Sequence, residues 1–387
     1  MTGKTTRQKM LKKTIEDYFV PWIKPLKMYV SDHIELAWQK PGLHRMMSNE
    51  NPVPPSRKII KTILKYSALA NRYPDQGLSV RSKIAAINGL KGPENVVLGN
   101  GSSEIFDMIF RSFVTRGDQV IQEIPCFGIY KLRCELLGGK IVSVPMIYRD
   151  NQLLYNTDAL LKLVSSKTKI ITIANPNNPS GNFMDNRDFV KIAGTGIPFV
   201  IDEAYIEYSG LGKSQVNLIK KFQNVIITRT LSKAYGLAGL RFGYLLADEG
   251  IAGKIAATLI PWNVGTISMW TALTALEDNR DLEKKVKYNN RQVAFIIKML
   301  ENIPGLISFP SRANFILFDA GPAGYKGADI IEFATKRGII LRGEKTQYGS
   351  DGWFRVTIGT EKENQKFVGL IRDFFSFNNS KKNRLKQ

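Results

Sequence analysis

Acid is scarce in this chain. Fifty-five lysines and arginines face 34 aspartates and glutamates, a net charge of +21 over 387 residues. The shortage is sharpest at the ends. Lys4, Arg7, Lys9, Lys12 and Lys13 fall in the first 13 residues, and Lys381, Lys382, Arg384 and Lys386 in the last seven, with no acid in either stretch. Such tails read as solvated arms. The remaining excess on the body draws anionic ligands such as phosphates and carboxylates. No zinc-finger, RNP or helix-turn-helix pattern accompanies the charge, which excludes specific nucleic-acid readout. Cysteine is scarce too: Cys126 and Cys134 alone exclude a disulfide scaffold and fit a reducing compartment such as the cytoplasm. No apolar signal-peptide core follows the basic N-terminus. The one long uncharged stretch, Ile255 to Leu276, is broken by Pro261, Asn263 and Gly265. It reads as buried core or subunit interface, not a membrane span. Internal repeats and low-complexity linkers are absent.

What is present is a chain long enough for two domains. Apolar runs at Val96 to Leu98, Gln119 to Gln122, Lys140 to Pro145, Lys169 to Ile173, Phe199 to Ile201 and Val225 to Thr228 alternate with helical patterns. That alternation predicts an α/β fold: a three-layer sandwich around a mostly parallel sheet. One or two long helices are expected over Ala272 to Ile303. Shorter elements follow: strands at Phe315 to Phe318, Ile339 to Arg342 and Trp353 to Ile358, a helix at Ala328 to Lys336, and a final helix from Glu361. They imply a smaller α+β domain. The predicted division is an arm and part of the small domain (1–56), a large domain (57–275), a small domain (276–378) and a basic tail (379–387). Lys9 to Phe19 puts Leu11, Ile15 and Phe19 on one helical face, an arm that packs on the body or a partner.

The chemistry concentrates in loops that follow strands, where open α/β sheets bind ligands. Asn175-Pro176-Asn177-Asn178-Pro179-Ser180-Gly181, Asp202-Glu203-Ala204-Tyr205 and Ser232-Lys233 each follow an apolar run. Gly99-Asn100-Gly101-Ser102-Ser103-Glu104 joins a strand to a helix start, which offers free N–H groups to an anion. A lysine able to form an imine, an aspartate able to hold a pyridinium proton and a polar partner for a phenolate are what pyridoxal phosphate (PLP) requires. The plainer alternatives are a surface lysine, a helix cap at Asp202 and a turn residue at Asn178. No metal-ligand pattern is present.

These strings resemble fold-type-I PLP-dependent aminotransferases, and among them the histidinol-phosphate aminotransferases. The resemblance extends over Ser48-Asn49-Glu50-Asn51-Pro52, Asn71-Arg72-Tyr73-Pro74-Asp75, Ser-Lys-Ala-Tyr-Gly-Leu-Ala-Gly-Leu-Arg (232–241) and Phe354-Arg355-Val356-Thr357-Ile358-Gly359-Thr360. It implies that Lys233 holds the cofactor through an imine and, once freed, shuttles the substrate's α-proton. It implies that Asp202 pairs with the ring nitrogen, that Asn178 and Tyr205 bind the phenolate oxygen, and that Phe127 stacks on the ring where the family has tyrosine. Ser102, Ser103, Ser232 and Arg241 would form the phosphate cup, and Tyr73 would reach the phosphate of the neighbouring subunit's cofactor in a homodimer. Arg355, Arg342, Tyr29 and Asn51 would face the substrate. Independently of the resemblance, Phe354, Val356 and Ile358 share one strand face, so Arg355 points the other way. Val53-Pro54-Pro55 stands where the family has Tyr-Gly-Pro, a departure on the substrate side.

The expected reaction is amino transfer between glutamate/2-oxoglutarate and an amine such as histidinol phosphate. An aromatic or phosphonate-type amino acid as donor, and a PLP lyase or decarboxylase acting on threonine phosphate, remain open. A non-enzymatic anion or nucleic-acid binder is the reading that the basic tails alone would support.

Overall fold

In a computed structural model, residues 14–27, 32–344 and 350–384 are described. Seven strands form the main sheet: β1 (Val96–Asn100), β2 (Gln119–Ile124), β3 (Lys140–Pro145), β4 (Thr168–Ala174), β5 (Phe199–Asp202), β6 (Val225–Thr230) and β7 (Phe242–Leu246). Their order is β1-β7-β6-β5-β4-β2-β3. Neighbours run parallel except at β7, which is antiparallel to both β1 and β6.

The strands read as unbroken apolar runs because both faces are covered. Val97, Val120, Ile170, Val200, Ile226 and Leu245 pack to one side, against α1 (Ser102–Phe113) and helices Ile129–Leu136 and Glu249–Ala256. Their neighbours Leu98, Ile121, Ile171, Ile201, Ile227 and Leu246 pack to the other, against helices Arg57–Ser67, Leu78–Ile87, Asn186–Ala193 and Thr266–Leu276. The three-layer expectation holds.

A second sheet, β8 (Ile307–Ser308), β9 (Phe315–Asp319), β10 (Arg342–Gly343) and β11 (Trp353–Thr357), runs antiparallel in the order β8-β9-β11-β10. Phe318, Phe354 and Val356 bury one face of it with α2 (Asn279–Leu300) and α3 (Glu361–Arg384). Met46 joins that core, and His44–Arg45 pairs in parallel with Ile339–Ile340.

The uncharged stretch Ile255 to Leu276 contains a loop with Ile260 and Trp262 exposed in the single chain, before the buried helix Thr266–Leu276 begins. Two expectations need correction. The strand expected at Ile339 to Arg342 is two pieces: Ile339–Ile340 pairs with the N-terminal segment and Arg342 starts β10. The N-terminal helix is, within the described residues, a single 3-10 turn at Ile15–Tyr18. Ile15 and Phe19 are exposed, and Leu11 lies outside the described residues. Trp22 does pack on the body: its Nε1 donates to Leu136 O (3.1 Å), and its ring lies where a Cβ on Gly138 would sit. Among the described residues no helix is long and apolar enough to cross a membrane.

Behind the main sheet's carboxyl edge lies a closed ion pair. Arg229 and Glu203 are fully buried, with Arg229 Nη2 2.9 Å from Glu203 Oε2. Arg229 also donates to Asn88 Oδ1 (2.8 Å) and Ser214 Oγ (2.7 Å). Removing one partner strands a charge in the interior. Arg229→Ala is therefore expected to cost about 3–5 kcal/mol of stability, and the Arg229→Met/Glu203→Leu double variant much less, as read from denaturant melts.

Candidate active site

The reversed strand β7 assembles the first part of the site. Its Phe242 pairs with Asn100 of β1 and its Gly243 with Thr230 of β6. That register brings the preceding residue, Arg241, beside the start of α1 and the turn after β6. Arg241 Nη1 reaches Ser232 Oγ at 3.5 Å and donates to Ala238 O at 3.1 Å. A Cβ on Gly101 would fall 2.9 Å from Arg241 Cζ, and Gly101 sits at φ +78°, so glycine is required on both counts. Gly101 offers no side-chain cap to α1. The N–H groups of Ser102 and Ser103, in the first turn of α1, have no intrahelical acceptor and suit an anion. Ser102, Ser103, Ser232 and Arg241 thus converge on one cup.

Asp202 ends β5 and is 5% exposed. Tyr130 Oη donates to its Oδ2 (2.7 Å); Ala204 N (3.1 Å) and Thr228 Oγ1 (3.3 Å) donate to its Oδ1. No ion pair reaches this carboxylate among the described residues. Burial raises its pKa to about 6 despite those hydrogen bonds. A cation placed against Asp202 would remove that strain, and a protonated pyridine nitrogen is such a cation.

Lys233 follows β6, and its Nζ donates to Ser48 O at 3.2 Å and stands 5.7 Å from the Tyr205 ring centroid. Burial, aided by the Arg355 charge, lowers its pKa to about 8. A usable share of the amine is therefore neutral near physiological pH and able to attack an aldehyde. The carbonyls of this loop are held from outside the main sheet. Asn51 Nδ2 donates to Lys233 O (3.3 Å) and Ala234 O (3.0 Å), and buried Lys285 of α2 donates to Tyr235 O (2.9 Å) while pairing with Asp281 (2.7 Å). Asn51, expected to face substrate, lines the cleft beside this loop; its amide braces the lysine loop, and its Oδ1 accepts from Val53 N (2.9 Å).

Tyr205 is buried and its Oη accepts from Asn49 Nδ2 at 2.9 Å. Asn178 accepts a short hydrogen bond from Arg355 Nη1. Arg355 is 7% exposed, its guanidinium 5.2 Å from the Phe315 ring centroid; it is no surface ion pair. Phe127 is part-buried, its ring edge-on to Tyr130 at 6.1 Å. A cleft of about 400 Å³ opens beside the lysine loop, lined by Asn51, Ser232, Gly236 and Thr360 among others.

One expected residue, Tyr73, stands apart in this single chain. Tyr73 is 78% exposed and stacks on exposed Trp262, ring centroids 4.5 Å apart. Arg342 lies directly across the strand pair from Arg355, with Nη1 2.6 Å from Nδ1 of His33. Tyr29 lies outside the described residues. Sequence reasoning missed Tyr130, Thr228 and Asn49. Tyr130 carried a signal: it follows Phe127 by three residues at a helix start.

The residues fit PLP: a cup for an ester phosphate, an uncompensated buried carboxylate for a ring cation, and an amine of lowered pKa. In the cofactor-free protein, the raised pKa of Asp202 makes the native state hold a proton that the unfolded chain has released. Asp202 should then contribute a fall of up to about 3 kcal/mol in wild-type stability between about pH 4 and pH 6. Asp202→Asn should remove that share and leave the share of Glu123 and Glu207, whose buried carboxyls are also pushed up, to about 8 and about 7, while added PLP should stabilise the wild type more than the variant. Thermal melts across pH, with and without PLP, read both effects.

Comparison with known proteins agrees with this chemistry. The profile of the aminotransferase class I and II family matches residues 43–371. Histidinol-phosphate aminotransferase 1 of Idiomarina loihiensis is 35% identical over 364 residues, covering 91% of this chain and 96% of that protein. The crystal structure of histidinol-phosphate aminotransferase from Sinorhizobium meliloti, in complex with pyridoxal-5'-phosphate, superposes with a TM-score of 0.83 at 25% identity, covering 92% of this chain and 98% of the other. L-threonine-O-3-phosphate decarboxylase from Porphyromonas gingivalis shares the fold, with a TM-score of 0.74 at 20% identity over 86% of this chain and all of that one. An amine-bearing loop, a cation-seeking carboxylate and an anion cup, on a fold and sequence shared over most of its length, place this chain in the aminotransferase class I and II family, as a PLP-dependent aminotransferase.

Proposed function

We propose that the chain exchanges an amino group between glutamate/2-oxoglutarate and histidinol phosphate, in a homodimer with shared active sites. The observation that carries the substrate reading is the buried guanidinium of Arg355, whose charge is felt at Lys233. An anion held there, a carboxylate or a phosphate, leaves the substrate's amine facing Lys233. Arg342, across the strand pair, adds positive charge to the same end of β11. The names of the relatives favour the phosphorylated amine as donor.

Bound PLP supplies an aldehyde for the amine and a protonated ring that draws electrons from the substrate's α-carbon. The residues of the chain do the rest. Asp202, oriented by Tyr130 and Thr228, keeps the ring nitrogen protonated. Ser102, Ser103, Ser232 and Arg241 would anchor the ester phosphate. Asn178 and Tyr205 would hydrogen-bond the phenolate oxygen, and Phe127 would pack on the ring. Lys233 Nζ would be the group that takes and returns the substrate's α-proton. Its lowered pKa makes it a competent base near pH 8.

The dimer reading is supported by the exposed stack of Tyr73 on Trp262, with exposed Ile260 nearby in sequence: apolar surface with no cover in one chain. Tyr73 would reach across that interface to the partner's phosphate. The two free cysteines suit the cytoplasm.

A panel of amino donors assayed with 2-oxoglutarate for keto product, alongside carbon dioxide release, tests the reaction. Turnover of histidinol phosphate is expected, and decarboxylation without keto product would replace this reading. Lys233→Ala should abolish the visible absorbance of lysine-bound cofactor and reduce kcat by at least about a thousandfold. Arg355→Ala should raise KM for anionic substrates about 10- to 100-fold, the loss of a charge-assisted hydrogen bond. Cofactor absorbance should stay unchanged in that variant.

A further inference from the structure

Helix α2 buries polar residues on a face where a core-facing helix ordinarily carries apolar ones. Lys285, Asn289 and Gln292 are all buried and fall at helical spacing, so they form one stripe. Toward the start of the helix, Leu282 and Val286 pack beside Ala204 and Tyr205. Toward its end, Val293, Ile296 and Leu300 join the core of the second sheet. Each polar residue of the stripe grips a different segment of the site. Lys285 Nζ donates to Tyr235 O in the lysine loop (2.9 Å). Asn289 Nδ2 donates to Ala313 O (3.0 Å), and the adjoining Asn314 Nδ2 donates to Asn49 O (3.0 Å). Gln292 Oε1 accepts from Asn364 Nδ2 (2.9 Å), which also donates to Gly359 O just beyond β11 (2.9 Å).

Lys285 is the member that stability does not explain. Asp281 pairs with it at 2.7 Å, yet apolar residues in place of a buried ion pair are often neutral or stabilising. What the ammonium supplies is a donor to the loop. Three successive carbonyls there receive donors from outside it: those of Lys233 and Ala234 from Asn51 Nδ2, and that of Tyr235 from Lys285. Fixing those peptide planes fixes the direction in which the Lys233 side chain leaves the backbone. The same helix holds the turn after β11 through Gln292, seven residues on and about 10 Å along its axis. The amine of Lys233 and the strand that carries Arg355 are thereby referenced to one rigid element. Arg355, Glu50, Arg241 and Asp202 supply the charges that tune the Lys233 amine. Lys285, paired with Asp281, supplies position. We propose that Lys285 is a positioning residue: it holds the loop so that the Lys233 amine reaches an aldehyde and the substrate's α-proton. The proposal rests on the reading that Lys233 carries the cofactor.

The test mixes cofactor-free protein with PLP and follows the rise of visible absorbance, which gives the rate of imine formation at Lys233. Turnover of the amino donor is measured on the loaded enzyme. Lys285→Met removes the hydrogen-bond donor and keeps the bulk. It is expected to slow imine formation about tenfold or more and to lower kcat about 10- to 100-fold, with KM for the amino donor changed less than about threefold. Asp281→Asn breaks the ion pair but leaves an N–H of Lys285 on Tyr235 O, so imine formation should slow less than about threefold. The proposal falls if Lys285→Met forms the imine within about twofold of the wild-type rate, if Asp281→Asn is slowed as much as Lys285→Met, or if Lys285→Met no longer folds. In each case the lysine serves the ion pair or the fold and not the reacting amine. If Lys233→Ala still develops the visible band, Lys233 does not carry the cofactor, and the underlying reading falls as well.

Discussion

The buried carboxylate of Asp202 sets the terms for the rest of the site. Three hydrogen bonds hold it at the end of β5, yet none brings a positive charge, and burial leaves its ionised form strained. A protein that keeps such a group gains from a ligand with a cation of the right shape. Ring-nitrogen protonation and affinity for the coenzyme are thus two outcomes of one electrostatic arrangement. Tyr130 and Thr228 belong to it, because they fix which oxygen faces which neighbour.

The same sheet supplies the opposite need. A parallel sheet presents helix starts and strand ends along one edge, where anions settle. Reversal of β7 adds a residue from the other chain direction to that edge: Arg241 arrives at the cup because Phe242 and Gly243 are locked in register with β1 and β6. Gly101 then has to lack a side chain. Cationic and anionic demands are met within one row of strand ends, which orients a ligand bearing both.

Much of this was legible in the sequence because the reactive residues follow short apolar runs, and those runs are strands with both faces covered. Lys233 and Asp202 sit at the ends of such runs and needed no tertiary knowledge to be singled out, whereas Arg241, which precedes its strand, was reached through the family resemblance. Tyr130 and Asn49 depend on distant partners: the Tyr130 hydroxyl meets Asp202 72 positions away, and Asn49 meets Tyr205 across 156. No local pattern carries such pairings. The Asn51 motif likewise does not reveal that its amide turns to the lysine loop. The stretch Ile339 to Arg342 looked like one strand because apolar runs do not show where a chain leaves one sheet for another.

The brace on the lysine loop has a consequence for biosynthesis. The main sheet is complete once Leu246 has been made, but one clamp on the loop, Lys285, comes from α2, well beyond it in the chain. A nascent polypeptide emerging from the ribosome can therefore close its seven strands while the carbonyl of Tyr235 still lacks its donor. In that order of synthesis the carbonyl two residues beyond Lys233 gains its ammonium donor only once the long helix has docked.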